Sequence, residues 1–263
     1  MKIQKKAYAK INLTLEILGT RRADGYHDIA SVMLKAKQLY DELCIELTEQ
    51  GICVECDKDV CATKENLAFK AAKKYIELYE KKNGETFGVN IYIKKNIPSG
   101  AGLAGGSSDA AVVLDTLYQQ KGALSYEEVY NIAVSLGSDV AFCLEAHSCA
   151  ICEGRGEIIT DLPDIEDVQI KFIFPSTPLY TKGIYTEYDT QNQDDYTKSN
   201  SKKMAELIIK GADKKEIFSF MCNDFQSICQ KRCPEIQEAV RKLESEGFFA
   251  QMSGSGSAVF GIK

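Results

Sequence analysis

The chain has 263 residues, 44% hydrophobic and 27% charged, with a net charge of −6 at neutral pH and a pI near 5.2. That length can bury a sizeable core in one large or two modest domains. The acidic balance excludes a broad nucleic-acid-binding face, which needs a basic excess, and no apolar run approaches a membrane span.

In chain order, the basic start Met1-Lys2-Ile3-Gln4-Lys5-Lys6 has no apolar stretch behind it, so a secretory signal is not expected and the compartment is read as the cytoplasm. From Lys6 to Glu16 apolar Ala7, Ala9, Ile11, Leu13 and Leu15 alternate with Lys6, Tyr8, Lys10, Asn12, Thr14 and Glu16. That predicts one half-buried strand with Lys10 and Asn12 on the same face. A turn-rich basic segment, Gly19–His27, precedes strand-like pieces at Ile29–Met33 and Leu43–Leu47. Glu65–Glu80 carries a helical apolar stripe, and Val89–Ile93 reads as a strand leading into a glycine loop.

The loop is the most informative segment. Ile97–Ala111 holds Gly100, Gly102, Gly105, Gly106 and the pair Ser107-Ser108, just ahead of Ala110, Val113, Leu114 and Leu117 at the spacing of one buried helix face. Glycines let an anion approach backbone N–H groups, and a helix N-terminus adds unpaired donors and a positive dipole end. A phosphate cradle is therefore expected, against the plainer reading of a glycine-rich turn with Ser107 as an N-cap. Gly100, Gly102 and Gly105 satisfy G-x-G-x-x-G, but no second strand ends in an acidic residue about twenty positions on. No lysine follows the glycines as a Walker loop requires.

Further on, Ser125 and Glu128 fit a capping box for a helix that stops at Gly137. Ser138-Asp139 precedes the apolar run Val140–Leu144. Composition turns acidic over Thr160–Asp167, which places a domain boundary there, between 1–160 and 161–263. A strand is expected at Gln169–Phe174 and a polar surface loop at Tyr188–Ser201. Helices are expected near Lys202–Ile209, Lys214–Cys222 and Pro234–Glu246. The chain closes with a strand–loop–strand around Met252–Ser257.

Ten cysteines include two C-x-x-C spacings, Cys53/Cys56 and Cys149/Cys152. Four such ligands make zinc conceivable. Neither pair has the glycine or histidine surroundings of a finger, and Cys143 and Cys149–Cys152 sit in short β-like apolar runs. There a thiol is a small buried hydrophobe, which is the preferred reading, and disulfides are disfavoured by a reducing compartment.

Phosphoryl transfer needs a cation near the moving group and a carboxylate near the acceptor hydroxyl. Lys10 and Asp139 are the candidates, each with a plain alternative: a solvated edge lysine, and a helix N-cap. His27 sits beside Tyr26 in Asp24-Gly25-Tyr26-His27, a pairing that suits a planar heterocycle or an ordinary turn. His147 reads as incidental.

Four blocks in order then carry a resemblance. They are Ala9–Leu13 with Arg22–His27, the Ile97–Ala111 loop, Gly137–Val140 with Gly154–Glu157, and Met252–Ser257 with Asn223–Phe225. Together they resemble the GHMP kinase superfamily and, through Asp-Gly-Tyr-His, its diphosphocytidyl methylerythritol kinases. The resemblance implies a two-domain α+β GHMP kinase fold, with a ribosomal protein S5 domain 2-like N-terminal ATP-binding domain and a ferredoxin-like C-terminal domain. It implies ATP and Mg²⁺ as cofactors, a cytidine-diphosphate-linked polyol as acceptor, no nucleic acid or membrane partner, and a monomer or homodimer.

By that resemblance, Asp139 orients the hydroxyl or takes its proton, and Lys10 holds Asp139 ionised. Asn66 and Lys95 lie near the adenosine. Pro98, Ser99, Gly100, Ala101, Gly102, Leu103, Ala104, Gly105, Gly106, Ser107 and Ser108 hold the triphosphate, with Ser107 as the candidate Mg²⁺ ligand. Asn12, Tyr26, His27, Thr181, Tyr185, Gly254 and Ser255, with Asp139, face the acceptor. The chain departs from the family pattern at Tyr8 and Ala141, each in place of proline, at Tyr118 in place of asparagine, and across 34–38 and 145–149. The last two segments open the alternative of another small-molecule alcohol as acceptor. A non-catalytic nucleotide sensor is the remaining alternative, disfavoured by the retained Lys10 and Asp139.

Overall fold

The computed structural model describes residues 2–19, 25–58, 62–145, 148–177, 179, 181–191 and 198–263. Strands β1 (Lys2–Asn12), β2 (Thr14–Leu18), β3 (Asp28–Thr48) and β4 (Ile52–Cys56) open the chain, followed by a 3-10 turn (Thr63–Glu65), α1 (Leu67–Asn83) and β5 (Gly88–Lys94). Next come α2 (Gly105–Lys121), α3 (Tyr126–Leu136), α4 (Ser138–Leu144), β6 (Cys149–Gly154), β7 (Ile158–Leu162) and β8 (Ile170–Ile173). The remainder is α5 (Thr181–Gln191), α6 (Asn200–Ile209), α7 (Lys214–Phe218), β9 (Cys222–Asn223), α8 (Gln226–Arg232), α9 (Glu235–Ser245), β10 (Phe249–Met252) and β11 (Val259–Ile262).

These elements form two compact units, each drawn from several stretches of chain. One comprises Met1–Ala9, Ala36–Ser99 and Ala104–Ala146, the other Lys10–Lys35, Gly100–Leu103 and His147–Lys263. In the first, β5 lies between the later part of β3, antiparallel with Glu42 opposite Lys94, and β4, parallel with Ile52 opposite Val89. Val89, Ile91 and Ile93 are buried while Asn90, Tyr92 and Lys94 face out, the period of two that the sequence shows. Helix α1 packs on α2, and α2 and α3 pack on α4. The Asn66 carboxamide starts α1 by accepting from the Ala68 N–H, and the expected Ser125–Glu128 capping box opens α3.

In the second unit β2 and β6 flank the early part of β3, both antiparallel to it, with Ile17 opposite Ile29 and Val32 opposite Ile151. A second sheet runs β10–β11–β8, and its β10–β11 hairpin is the expected closing strand–loop–strand. Helix α9 buries Ile236, Ala239, Val240 and Leu243, an i, i+3, i+4, i+7 face, into a core with Ile17, Phe225, Ile228, Met252 and Val259.

Several expectations need correction. The strand expected over Lys6–Glu16 breaks at Leu13, and beyond Ala9 it is not half-buried: Lys10, Asn12, Thr14 and Glu16 are buried as well as the apolar set. Internal hydrogen bonds make that burial tolerable. The two pieces Ile29–Met33 and Leu43–Leu47 are one continuous strand, β3. Val140–Leu144, with Cys143, is helical rather than β-like, because Gly137 starts a new helix directly after α3. Tyr188–Gln191 belongs to α5, and Asn200–Ser201 opens α6, so the expected loop shrinks at both ends; its middle, 192–197, lies outside the described residues. Helix α8 was not anticipated, and Cys222 is in β9 rather than in a helix.

Candidate active site

The glycine loop starts from β5. Its base is clamped by a buried ion cluster: the Lys95 ammonium donates to Asp109 Oδ2 at 2.7 Å and to Asp41 Oδ2, all three side chains being almost fully buried. The other Asp41 oxygen accepts from the Ile97 N–H at 2.8 Å and from the Asn96 N–H. Strand end and helix start are thus tied together. Burial depresses the Lys95 ammonium, but Asp109 and Asp41 outweigh it and hold the group above its ordinary value. Burial pushes the Asp109 carboxyl up to about 7, with Lys95 opposing and Asp41 adding to the rise. The Asp109 Oδ1 atom is buried without a hydrogen-bond partner among the described residues. In sequence Asp109 stands beside Ser107 and Ser108 at the helical end of the loop, whereas nothing marks Asp41, since a charged side chain reads as solvated.

Helix α2 is capped by Ala104 in the left-handed conformation (φ 57°), not by Ser107, which lies in the first turn and is half-buried. The Ser108 hydroxyl donates to the Tyr8 carbonyl at 2.7 Å, tying this turn to β1. Gly105 and Gly106 begin the helix, and Pro98 and Ser99 lie at the partly exposed tip. Asn66 caps α1 through its side-chain oxygen, and its Nδ2 contacts Cys56 Sγ at 3.6 Å. Asp139 is the second residue of α4, whose N-cap is Gly137, so the alternative of Asp139 as a helix N-cap does not hold. It sits where a helix dipole attracts negative charge.

In the other unit, Gly100–Leu103 runs against the β10–β11 loop. Ala258 N–H donates to the Ala101 carbonyl at 3.2 Å, Ser253 Oγ to the Gly102 carbonyl at 3.1 Å, and Lys10 N–H to the Leu103 carbonyl at 3.1 Å. Gly102 has φ 76°, and a Cβ there would lie 2.1 Å from the Ser253 carbonyl oxygen, so the close approach demands glycine. Gly254, φ 56°, is equally constrained: a Cβ would meet the Gly102 carbonyl oxygen at 2.9 Å and Lys10 Nζ at 3.4 Å. Asn223, from β9, holds this second loop through the Met252 and Gly254 carbonyls. Lys10 Nζ donates to Asn12 Oδ1 at 2.7 Å, the same-face placement that alternation predicts. The second Gly/Ser loop, Lys10 and Asn12 thus form one buried cluster.

The aromatic candidates also gather. His27 stacks on Tyr185 (centroids 5.4 Å apart, 27° between planes), packs edge-on to Tyr188, and its Nε2 pairs with Asp189 Oδ1 at 2.8 Å. Tyr26 is 56% exposed, with the Arg155 guanidinium 5.1 Å from its ring centroid. Thr181 opens α5 and Ser255 lies in the β10–β11 loop. Asp24 and His147 lie outside the described residues. Among the described residues no helix is long and apolar enough to cross a membrane, no group of three or more His, Cys, Asp or Glu is placed to hold a metal, and no cysteine is in a disulfide.

Comparison with known proteins places these parts in context. The N-terminal domain of GHMP kinases matches residues 66–147, and their C-terminal domain matches residues 204–263. A 4-diphosphocytidyl-2-C-methyl-D-erythritol kinase from Alkaliphilus metalliredigens (strain QYMF) is 37% identical, over 99% of this chain and 87% of its own. One from Syntrophomonas wolfei subsp. wolfei (strain DSM 2245B / Goettingen) is 38% identical, over 98% of this chain and 88% of its own. A crystal structure of 4-(cytidine 5'-diphospho)-2C-methyl-D-erythritol kinase superposes with a TM-score of 0.79 at 30% identity, covering 98% of this chain and 89% of that one. Homoserine kinase from Cytophaga hutchinsonii shares the fold, with a TM-score of 0.74 at 14% identity, over 100% of this chain and 85% of its own.

Proposed function

The chain belongs to the 4-diphosphocytidyl-2-C-methyl-D-erythritol kinase family of the GHMP kinases, and on that premise we propose that it transfers the γ-phosphoryl group of ATP to the 2-hydroxyl of 4-diphosphocytidyl-2-C-methyl-D-erythritol. The observation that carries this reading is the likeness to the named kinases over nearly the whole chain. This is a step of the non-mevalonate isoprenoid route.

Phosphoryl transfer asks a protein mainly for positioning and electrostatic stabilisation. The loop Pro98–Ser108 cradles the triphosphate, with backbone N–H groups between Ser99 and Ser107 as donors, and Asn66 and Lys95 stand at the adenosine end. Asp139 orients the acceptor hydroxyl and receives its proton. Lys10, aimed by Asn12, supplies the cation that the loop lacks. Tyr26, His27 and Tyr185 receive the cytosine, an assignment supported by the His27–Tyr185 stack, while Thr181, Gly254 and Ser255 face the polyol. Mg²⁺ neutralises phosphate charge when bound. The Ser107 hydroxyl fits it as a single hard oxygen ligand, since Mg²⁺ takes its other positions from phosphate and water.

The test is ADP release across a panel of acceptors. Turnover with the cytidine-diphosphate-linked methylerythritol and loss of turnover when the cytidine is removed are expected. Turnover only on acceptors without cytidine would overturn the acceptor assignment, and nucleotide binding with no turnover on any acceptor would overturn the enzymatic reading.

A further inference from the structure

Lys10 and Asn12 stand at the head of a buried hydrogen-bond chain whose direction is set elsewhere. Lys10 Nζ donates to Asn12 Oδ1 at 2.7 Å, Asn12 Nδ2 donates to Ser31 Oγ at 2.9 Å, and Ser31 Oγ donates to the Thr14 carbonyl at 2.5 Å. All four residues are at most 3% exposed, so no bulk water replaces a missing partner. Ser31 comes from β3, 19 positions from Asn12, and no sequence motif singles it out.

A carboxamide has two chemically different ends, and an ammonium is satisfied only by the oxygen. A serine hydroxyl has one proton to give. With that proton on the Thr14 carbonyl, Ser31 Oγ is left as an acceptor, and only the NH₂ end of Asn12 can bond to it. The Asn12 oxygen then faces Lys10. Turning the amide over would set its NH₂ against the Lys10 ammonium, donor against donor. It would also make Ser31 abandon the Thr14 carbonyl, a buried acceptor whose loss is costly. Thr14 is itself fixed: its Oγ1 accepts from the Val32 N–H at 2.8 Å and meets Ser201 Oγ at 2.8 Å, and Ser201 Oγ bonds to Glu16 Oε2 at 2.6 Å.

We infer that Ser31 is a positioning residue that fixes the amide orientation of Asn12 and thereby aims the Lys10 ammonium for phosphoryl transfer. This rests on the proposed placement of Lys10 in the active site. Ser31 is fully buried and reaches the site through its hydrogen bond to Asn12. Its loss lets the amide rotate and takes the Asn12 oxygen away from the Lys10 ammonium, and misplacement of a catalytic group by about 1 Å costs on the order of 100-fold.

The experiment is steady-state kinetics on Ser31→Ala and Ser31→Thr, each alone and in an Asn12→Ala background, with Lys10→Ala as reference. Ser31→Ala lowers kcat about 10- to 100-fold with the KM for ATP within about twofold of the parent, and Ser31→Thr, which keeps the hydroxyl, recovers most of the rate. In the Asn12→Ala background Ser31→Ala has no further effect, because the group through which it acts is gone. Full kcat in Ser31→Ala, or the same fold-loss in both backgrounds, would overturn the inference. If Ser31→Ala does not fold, Ser31→Cys, nearly isosteric and a weak donor, takes its place with the same expected readings. A Lys10→Ala variant with unchanged turnover would instead refute the placement of Lys10, whatever Ser31 does.

Discussion

Two carboxylates in the first unit, Asp109 and Asp139, illustrate how neighbours decide what a side chain does. Asp139 sits in the first turn of α4, half-buried. Asp139→Ala is expected to lower kcat by about 10²- to 10⁴-fold, the range for a group that handles the acceptor proton, while nucleotide affinity by titration calorimetry stays unchanged. An unaltered kcat would remove Asp139 from the chemistry. Asp109 has the opposite surroundings. Its acid form is favoured by burial, with a folded value of about 7 against 3.8 for the free group. The folded state therefore binds this proton more tightly than the unfolded chain does. The stability it contributes is full below about pH 4 and is lost as pH rises through about 7. Asp109→Asn removes that titration, so its Tm relative to wild type should climb between about pH 4 and 7 and level off above. A constant difference across that window would show that Asp109 titrates as an ordinary carboxylate. In the sequence the two are equivalent acidic letters near a helix start. The contact with Lys95 and Asp41, 14 positions from Asp109 in one case and supplied by β3 in the other, separates them.

At the scale of elements, local rules were legible wherever the deciding groups are close in sequence. The Ser125–Glu128 box is such a case: the Ser125 hydroxyl accepts from the Glu128 N–H at 3.2 Å and the Glu128 carboxylate accepts from the Ser125 N–H at 2.7 Å. Lys82 of α1 also pairs with Glu128, at 2.8 Å, so the cap links two helices. Ser125→Ala should lower stability by about 1 kcal/mol in denaturant titration with kcat unchanged. No loss of stability would mean that the cap is replaced by water. Where partners are distant, local rules failed. Ala104, a residue with no cap chemistry, starts α2 in a left-handed conformation while Ser107 is passed over, because the loop before it is held by contacts from elsewhere in the fold. The start of α6 falls in the polar stretch Tyr188–Ser201 that reads as loop, and no side chain of its own caps it. Its donors are met instead by the Glu16 carboxylate, which accepts from the N–H groups of Asn200 at 3.0 Å and Ser201 at 2.8 Å, 184 and 185 positions away.

Over the whole molecule, the cysteines follow burial rather than motif. Cys149 and Cys229 are buried and their thiols are pushed up to about 12 by desolvation, with Cys222 at about 11, while Cys53 on β4 is exposed. A thiolate is the reactive form. Maleimide at neutral pH should therefore label Cys53 in the native protein and spare Cys149 and Cys229 until denaturant is added, as read by peptide mass mapping. Native labelling of Cys149 would contradict the packing of β6. The sequence by itself determined the family and the glycine loop, the same-face pairing of Lys10 with Asn12, the cap of α3 and the helix near Pro234–Glu246. Each of these depends on residue type at short, regular spacing, which the geometry of strand, helix and turn converts directly into place. Only the tertiary structure decided which buried polar groups satisfy one another: Asp41 and Asp109 on Lys95, Ser31 on Asn12, Glu16 on α6, and Gly102 against the Ser253 carbonyl. Those pairings depend on the strict requirement that a buried donor or acceptor find a partner, and that partner is chosen by packing between segments far apart in the chain.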